Sequence, residues 1–330
     1  MTTNIGTASG VNAFDSLVSQ YNQCGPAMWN DVFRCETWWD KVTDSSIANE
    51  LIKCNHPVYL NTMKDPVWFC GYQYNQRLAS SQMSVCTREL RARHMCYTND
   101  EIDMHQLDDL CKDPGIVSKR GELSAKKFAE IMNTKVMAHV DAETPTCNTG
   151  TFIGKGINLG TVTNPFPFNV TTAMRYFGEW QAAYDTRRAP KGQRVMVMKS
   201  RLKSVIMASD AVQRSIIGTG INMALNGLCE SPTRIGCDMI VFDECGGPQL
   251  APIRDDVRLG WIYPVYGWAI DAISAAMGKG ASRTVTAVEY DKMYFRDYAF
   301  YGIVTKRPEL LFKGAVFLAD TWINDKNCIV

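Results

Sequence analysis

The sequence has few of the residue patterns by which enzymes and metal proteins are recognised. None of the motifs G-x-S-x-G, H-E-x-x-H or G-x-G-x-x-G occurs in its 330 residues. It contains only four histidines, and their positions have neither metal-ligand nor catalytic-triad spacing. The segment 150–156, GTFIGKG, lacks the spacing and the Ser or Thr after lysine that a phosphate-binding loop requires. We therefore predict no catalytic, cofactor or metal site.

Closely spaced cysteines are also missing, although the chain has twelve of them. No two are spaced as a C-x-x-C pair, so the sequence does not indicate a zinc ribbon. Scattered thiols of this kind are typical of small apolar residues in the core of an intracellular protein.

The chain lacks an excess of charge of either sign and a long apolar run. Its 35 Lys and Arg against 34 Asp and Glu give a net charge of +1, which argues against a dedicated nucleic-acid-binding protein. The longest uncharged apolar run, 259–270, contains Pro264 and is shorter than the roughly 20 residues that span a bilayer. The first 20 residues have neither the basic nor the apolar region of a secretion signal. These features predict a soluble intracellular product without membrane contact.

The patterns that are present begin with an aromatic N-terminal segment and a long β segment. The spacing in 29–42 is helical, and such an aromatic surface is expected to dock on a neighbour, in the same chain or in another. Residues 55–96 have the pattern of an extended hairpin, with a strand at 67–72 and a basic second arm at 83–96. Because an isolated two-stranded ribbon is marginal in water, this hairpin predicts contact with another chain. A strand pair within the main sheet, with a solvated basic face, is the alternative.

The rest of the chain mixes helical and strand patterns, which predicts an α+β fold. Asn169 is the expected N-cap of the helix that follows it. The aromatic-dense run in 288–316 predicts two strands, with a turn at Gly302 and a break at Arg307-Pro308-Glu309. The predicted helices are 121–141, 170–186, 202–208 and 267–277, and the predicted strands include 194–199, 239–242 and 310–318.

The order of these segments resembles that of the major capsid proteins of tailed bacteriophages. The stretch 171–209, a helix followed by the turn PKGQ and the strand RVMVMK, is similar to the central-domain core of that family. Thr233-Arg-Ile-Gly236 before an apolar strand, and Arg307-Pro308-Glu309 between the last strands, resemble further family segments.

The resemblance implies the Hong Kong-97-like capsid fold. Its parts in this chain would be an N-terminal arm, an extended hairpin loop, a peripheral domain built on a long spine helix, and an axial domain. The corresponding ranges are 1–54 for the arm, 55–96 for the hairpin, 97–145 and 285–330 for the peripheral domain, and 146–284 for the axial domain.

The same resemblance implies a structural protein, not an enzyme, that assembles through pentamers and hexamers into the icosahedral head shell around double-stranded phage DNA. Its expected partners are other copies of itself, a scaffolding protein, the portal and a cement or decoration protein. Its inner face would contact the DNA without sequence specificity. It would be found in the virion after assembly in the host cytoplasm. The residues expected at intersubunit contacts are Trp68, Tyr72, Arg77, Arg88, Arg91 and Arg93 on the hairpin, and Trp29, Trp38 and Trp39 on the arm.

Two other classes of function remain open from the sequence. One is a cytosolic enzyme with a cysteine-based site that has no recognisable motif, since catalytic residues meet in space and not in sequence. The other is a different virion component, such as a tail or decoration protein.

Overall fold

The computed structural model describes the chain in twelve stretches. These are 38–44, 57–63, 85–92, 94–103, 115–152, 155–209, 228–230, 237–243, 247–255, 260–277, 281–287 and 292–319.

Helices and strands alternate irregularly along these stretches, as expected for an α+β chain. The helices are α1 (Trp39–Val42), α2 (Gly115–Glu143), α3 (Ala173–Thr186) and α4 (Arg201–Ala208). The strands are β1 (Val58–Met63), β2 (Val85–Leu90), β3 (His94–Asp103), β4 (Thr151–Phe152), β5 (Ile157–Asn158), β6 (Phe166–Pro167), β7 (Arg194–Lys199), β8 (Leu228–Glu230), β9 (Met239–Asp243), β10 (Ile253–Asp255), β11 (Gly260–Ala269), β12 (Ile273–Met277), β13 (Ala281–Ala287), β14 (Lys292–Thr305) and β15 (Leu311–Ala319).

A seven-stranded sheet forms the larger part of the fold. Its strand order is β6-β15-β11-β7-β9-β8, and β10 also pairs with β11. Strand β11 carries Pro264, which cannot donate to a ladder. One edge of β11 pairs with β10 up to Ile262 and with β7 from Tyr266 onward, so the proline falls between these two partner strands. On its other edge β11 pairs with β15 along its length.

A four-stranded antiparallel sheet forms the second part. Its centre is β14, which pairs with β3 on one edge and with β12 and then β13 on the other. Cross-strand partners share a face of a sheet, so this register decides which side chains can meet. It places Asp297 opposite Thr98 on one face and Tyr298 opposite Tyr97 on the other.

The predicted spine helix is α2, which is longer than the pattern 121–141 indicated. It spans 29 residues, about 44 Å at the usual helical rise. Its buried stripe includes Phe128, Met132, Val136 and Val140, at the spacing expected for one helical face. The helix reaches both sheets: it contacts β14 of the four-stranded sheet and β15 of the seven-stranded sheet.

Several predicted elements are confirmed closely. Strand β7 has the predicted bounds, α4 and β9 differ from prediction by one residue at one end, and β15 is shifted by one residue at both ends. The N-cap of α3 is Thr172 and not the predicted Asn169; Asn169 Oδ1 instead accepts hydrogen bonds from the backbone N–H groups of Thr171 and Thr172 in the turn before the helix.

The helix predicted at 267–277 is wrong. This segment forms the end of β11, a 3-10 turn at Ile270–Ala272 and all of β12. The residues of β11 from Ile262 to the end of the strand are all buried. A strand buried on both faces loses the alternation that would identify it, and its apolar run then resembles a buried helix.

The turn predicted at Gly302 is also wrong, because β14 continues through this residue. The glycine is required by a close approach of two chains: a Cβ at this position would lie 2.4 Å from the carbonyl oxygen of Arg91. It therefore lets the chain that follows β2 pack directly on β14.

Replacement of Gly302 by alanine is expected to destabilise the subunit by about 1–3 kcal/mol, the usual cost of overpacking. The opposing atoms are backbone and cannot rotate away, so β2 must shift. Chemical denaturation measures the loss, and Gly121→Ala is the matched control because nothing lies within 4 Å of its added methyl group. Equal stability of the two variants would contradict this account of Gly302.

Strand pairing differs from the predicted domain division in two places. Strand β15 falls in the predicted range 285–330 but lies in the seven-stranded sheet beside β11. Strands β12 and most of β13 fall in the range 146–284 but pair with β14 in the four-stranded sheet. The chain passes from the seven-stranded to the four-stranded sheet at Ile270–Ala272 and returns around Pro308–Leu310.

Candidate assembly surfaces

The base of the predicted hairpin is a two-stranded ribbon. Strands β1 and β2 pair antiparallel from Val58 opposite Leu90 to Met63 opposite Val85. Its inner side is fixed to the four-stranded sheet, since Leu60 and Leu90 bury themselves with Ala276 against Phe300. Its outer side exposes Tyr59 and Val85. The ribbon therefore has an apolar outer side that none of the described residues covers.

Two of the predicted hairpin arginines are described, and they differ in setting. Arg88 is half-buried on β2 opposite Leu60. Arg91 follows the strand and forms an ion pair with Glu89, with both side chains about one third exposed. The predicted strand 67–72 and the contact residues Trp29, Trp68, Tyr72, Arg77 and Arg93 lie outside the described residues.

The predicted intersubunit role of Trp38 and Trp39 needs correction. These side chains are only 7% and 3% exposed within a single chain. The Trp38 ring lies 6.4 Å from that of Trp268, and both tryptophans belong to the main core. They have almost no surface left for another copy, so we remove them from the proposed contact set. The sequence left open whether this segment docks on its own chain or on another chain. In the structure both tryptophans pack against their own chain.

A third surface lies on the open face of the four-stranded sheet, and sequence analysis missed it. Met95 and Tyr97 project from β3 with exposed fractions of 51% and 68%. We call these two residues, with Asn99, Arg296 and Tyr298, the sheet-face patch; it lines a groove of about 370 Å³. Arg296 Nε donates to Asn99 Oδ1 at 2.7 Å, which fixes one cation beside the aromatic groups. A large exposed apolar surface with a polar rim is typical of a protein–protein contact.

The opposite face of this sheet is held to the spine helix by a buried ionic group. Arg120 of α2 bonds Asp297 Oδ2 at 2.8 Å, Asp100 Oδ2 at 2.7 Å and the carbonyl oxygen of Phe295 at 3.0 Å. Its guanidinium also lies over the Phe295 ring, 5.2 Å from the centroid. We call this group the Arg120 clamp. The helix therefore covers one face of the sheet, while the sheet-face patch on the other face is exposed.

The other end of the spine helix is fixed to the seven-stranded sheet. Asp141 accepts a hydrogen bond from Tyr266 Oη at 2.8 Å and forms an ion pair with Lys313. Burial, and then the bond to this carboxylate, raises the pKa of Tyr266 well above its usual value, so the phenol remains a donor. Two residues earlier on the helix, the His139 ring contacts Thr305 Oγ1 at the end of β14 at 2.9 Å, and burial lowers the pKa of His139 although Glu143 opposes the shift.

The described thiols give little support to a cysteine-based enzyme. Cys237 is buried, Cys96 is half-buried, and Cys86 and Cys147 are exposed. Burial raises the pKa of Cys96, which disfavours the reactive thiolate. Within the described stretches, no three or more His, Cys, Asp and Glu side chains group as metal ligands would. Among the helices that the structure describes, none combines the length and apolarity of a membrane span.

Comparison by sequence finds nothing: no protein-family model and no curated protein matches the chain. Comparison by structure finds many similar chains. One from Mycobacterium phage Che8 matches with a TM-score of 0.57 and 13% identity, over 84% of this chain and 90% of that one. A virus-like particle from Pyrococcus furiosus matches with a TM-score of 0.52 and 12% identity, over 89% of this chain and 99% of that one. The mature capsid of bacteriophage PhiM1 matches with a TM-score of 0.53 and 10% identity, over 85% of this chain and 87% of that one.

Each of these likenesses covers more than four fifths of this chain. At such low identity they establish a shared architecture and no more. The fold predicted from the order of the segments is confirmed: the chain has the Hong Kong-97-like fold of phage capsid structures.

Proposed function

We propose that this chain is a major capsid protein, a structural subunit whose copies assemble through pentamers and hexamers into an icosahedral shell around double-stranded phage DNA. The observation that carries the proposal is the match along nearly the whole length of shell-forming chains, 87% of the PhiM1 capsid chain and 99% of the Pyrococcus furiosus particle chain.

The exposed surfaces support the same proposal. The outer side of the β1–β2 ribbon and the sheet-face patch are two exposed apolar surfaces, and neither is covered by a residue that the structure describes. A subunit that contacts several copies of itself needs more than one such surface, and many weak contacts then add up to a stable shell. The net charge of +1 suits an inner face that contacts DNA loosely and without sequence specificity.

The further partners follow from this role. A shell of this kind is expected to require a scaffolding protein during assembly and a portal at one vertex, and it can carry a cement or decoration protein outside. The protein would be assembled in the host cytoplasm and found in the virion head. Arg88 and Arg91 remain the described hairpin residues that we propose for intersubunit contact, together with Tyr59.

The test is electron microscopy of the full-length protein, expressed alone and with its candidate scaffolding protein, together with sizing chromatography. Closed shells, or pentameric and hexameric rings, are the expected result. Tubes or trimers would favour a tail or decoration protein. A monomer or dimer under every condition would contradict the proposal. The reactivity of the cysteines would then be measured to look for an enzyme. Nuclease-protected DNA in particles from infected cells would separate a DNA-filled head from a shell with other contents.

The sheet-face patch leads to a more specific expectation. The double variant Met95→Ser and Tyr97→Ser should keep the free energy of unfolding within about 0.5 kcal/mol, because both side chains are exposed in the subunit. Assembly should require at least about tenfold more protein, since each apolar side chain lost from a contact is worth about 1.5–3 kcal/mol. Light scattering against protein concentration measures this.

The matched control for the patch is Val162→Ser, which removes an exposed apolar side chain from a loop elsewhere on the surface. Assembly of the double patch variant at the same concentration as this control would show that the patch is not a contact between copies.

A further inference from the structure

Positive charge is concentrated in one described stretch of the chain, residues 155–209. This stretch has nine Lys and Arg against two Asp and Glu, which gives it a net charge of +7 in a chain whose total is +1. The rest of the chain is therefore net negative. A charge asymmetry of this size within one chain indicates a surface for a partner of the opposite charge.

The two helices of this stretch, α3 and α4, cover the same face of the seven-stranded sheet. The strand register puts one set of positions on that face: Phe312, Gly267, Met196, Met198 and Phe242. Trp180 of α3 packs on Phe312 with ring centroids 6.4 Å apart, and Lys203 Nζ of α4 lies 5.8 Å from the Phe242 ring centroid. Arg175 of α3 and Arg201 of α4 are exposed on the outward side of these helices.

Most exposed cations of this stretch have no acidic partner. We call five of its cations the basic face: Lys155, Arg187, Arg188, Lys191 and Arg201. Arg187 is half-buried and the other four are exposed. Among the residues that the structure describes, no carboxylate forms an ion pair with any of the five, whereas Arg120, Arg307 and Lys313 elsewhere in the fold are all paired.

The acidic residues near the basic face are already engaged. Asp185 forms an ion pair with Arg194 at 2.7 Å, and Glu179 pairs with Arg175 at 3.9 Å. Asp238 Oδ2 accepts hydrogen bonds from two backbone N–H groups, at 2.8 and 2.9 Å. The positive charge of the basic face is therefore not balanced by the described residues around it.

Four of the five cations lie close together at the end of α3. Arg187 and Arg188 directly follow the helix, and Lys191 lies in the turn after them. The Arg187 guanidinium lies 5.8 Å from the ring centroid of Phe152. Lys155 is in the tight turn after that residue, where its backbone N–H donates to the Phe152 carbonyl oxygen at 3.1 Å.

The dipole of α3 explains only part of this arrangement. A helix C-terminus attracts cations, which accounts for the two arginines that follow α3. It does not account for Arg201, which begins α4 at the far end of β7, about 20 Å away, where the dipole disfavours a cation. Arg188 also has a left-handed backbone, with φ 55°, at a position where helices usually carry glycine. A cation occupies this position although glycine adopts the conformation more readily.

We propose that the basic face binds the phosphate backbone of double-stranded DNA without sequence specificity. The turn after α3, Arg187 to Gly192, contains no large apolar side chain, whereas a protein partner normally requires an apolar centre. Spaced cations alone hold a phosphate backbone, and about 20 Å spans roughly six phosphates of one strand. The inference rests on the proposed function only in that the DNA would be the packaged DNA; the binding itself is a property of the subunit.

The test measures binding of a mixed-sequence DNA duplex to the full-length protein, by fluorescence anisotropy at several salt concentrations. The double variant Arg188→Gln and Lys191→Gln removes two cations of the basic face. Lys119→Gln with Lys126→Gln is the matched control, because it removes two exposed cations from α2. Both double variants should unfold at the same denaturant concentration as the unmodified protein, since all four side chains are exposed.

The basic-face variant should bind DNA at least about tenfold more weakly at low salt. The slope of log K against log salt concentration should flatten by about two, because each lost phosphate contact contributes roughly 0.9. The control should keep the slope of the unmodified protein. An equal slope and affinity in the two double variants would overturn the proposal.

Two further measurements separate the alternatives. If poly-L-glutamate binds more tightly than a duplex of equal charge, and the basic-face variant loses that binding, the face belongs to an acidic protein and the proposal is wrong. Light scattering on the same preparations measures shell formation independently. Shells together with unchanged DNA affinity in the basic-face variant would overturn this inference and leave the proposed function intact, and DNA binding without shells would do the reverse.

Discussion

Replacement of Trp180 by alanine is expected to lower the free energy of unfolding by about 3–5 kcal/mol. Trp180 of α3 is fully buried at the centre of an aromatic group that joins the helix to the seven-stranded sheet. Its ring centroid lies 6.2 Å from Tyr176, 6.0 Å from Tyr184 and 6.4 Å from Phe312 of β15. Alanine would leave a large cavity that these rigid rings cannot fill. Because domains are stable by only about 5–15 kcal/mol, this single change could unfold much of the protein at 37 °C.

Denaturant titration followed by tryptophan fluorescence and circular dichroism measures the loss. Trp180→Phe should lose clearly less, because an aromatic ring remains in the site. Tyr97→Ala is the control for removal of an aromatic side chain that is exposed, and it should change stability by no more than about 0.5 kcal/mol. An unfolding midpoint for Trp180→Ala equal to that of Tyr97→Ala would contradict the assignment of this aromatic group to the centre of the core.

The Arg120→Met variant is expected to lose a comparable amount, about 3–5 kcal/mol. Removing the guanidinium takes from the Asp297 carboxylate, whose side chain is only 5% exposed, its 2.8 Å partner and leaves the longer bond from Thr98 Oγ1 at 3.4 Å. The carbonyl oxygen of Phe295 also loses a donor. The start of the spine helix should then detach from the four-stranded sheet, and hydrogen exchange in this part of the helix should accelerate.

The decisive comparison for the clamp is the double variant Arg120→Met and Asp297→Leu. Replacing both members of a buried pair by apolar residues is often close to neutral, so the double variant should recover at least half of the loss of the single one. Arg296→Met is the matched control, because this exposed arginine lies on β14 next to Asp297 but on the opposite face of the sheet. A double variant less stable than Arg120→Met would show that Asp297 contributes independently of Arg120.

Local patterns in the sequence were sufficient where an apolar stripe or a turn signal marked an element. The single apolar stripe of the spine helix predicted the helix and its end within two residues but missed its first six residues, and the Pro190-Lys191-Gly192 turn before β7 allowed that strand to be predicted with its actual bounds. The segment 267–277 has no such signal and is buried over most of its length, so pattern alone could not separate a strand from a helix there. The order of elements along the chain was enough to predict the fold.

Contacts between distant residues account for what the sequence could not predict. Trp268 bonds a residue 226 positions earlier, and Arg120 one 177 positions later, and no local pattern connects such pairs. An apolar side chain looks the same in sequence whether it is buried in its own chain, as Trp39 is, or exposed on the surface of the subunit, as Tyr97 is. The alternation of apolar and polar residues in the first half of His94–Asp103 indicates a strand. The second half is polar throughout except for one residue, so the pattern was too short to predict β3.

The position of β15 has a consequence for how the protein is made. Every other strand of the seven-stranded sheet comes earlier in the chain, yet β15 lies inside the sheet, between β6 and β11. A ribosome that has not yet released residues 311–319 therefore carries a chain whose sheet has an open slot, with the edge of β11 unpaired. Such a chain cannot present the finished subunit surface to other copies. Translation products that stop short would be left out of any assembly, so insertion of this strand acts as a check on the completeness of each copy.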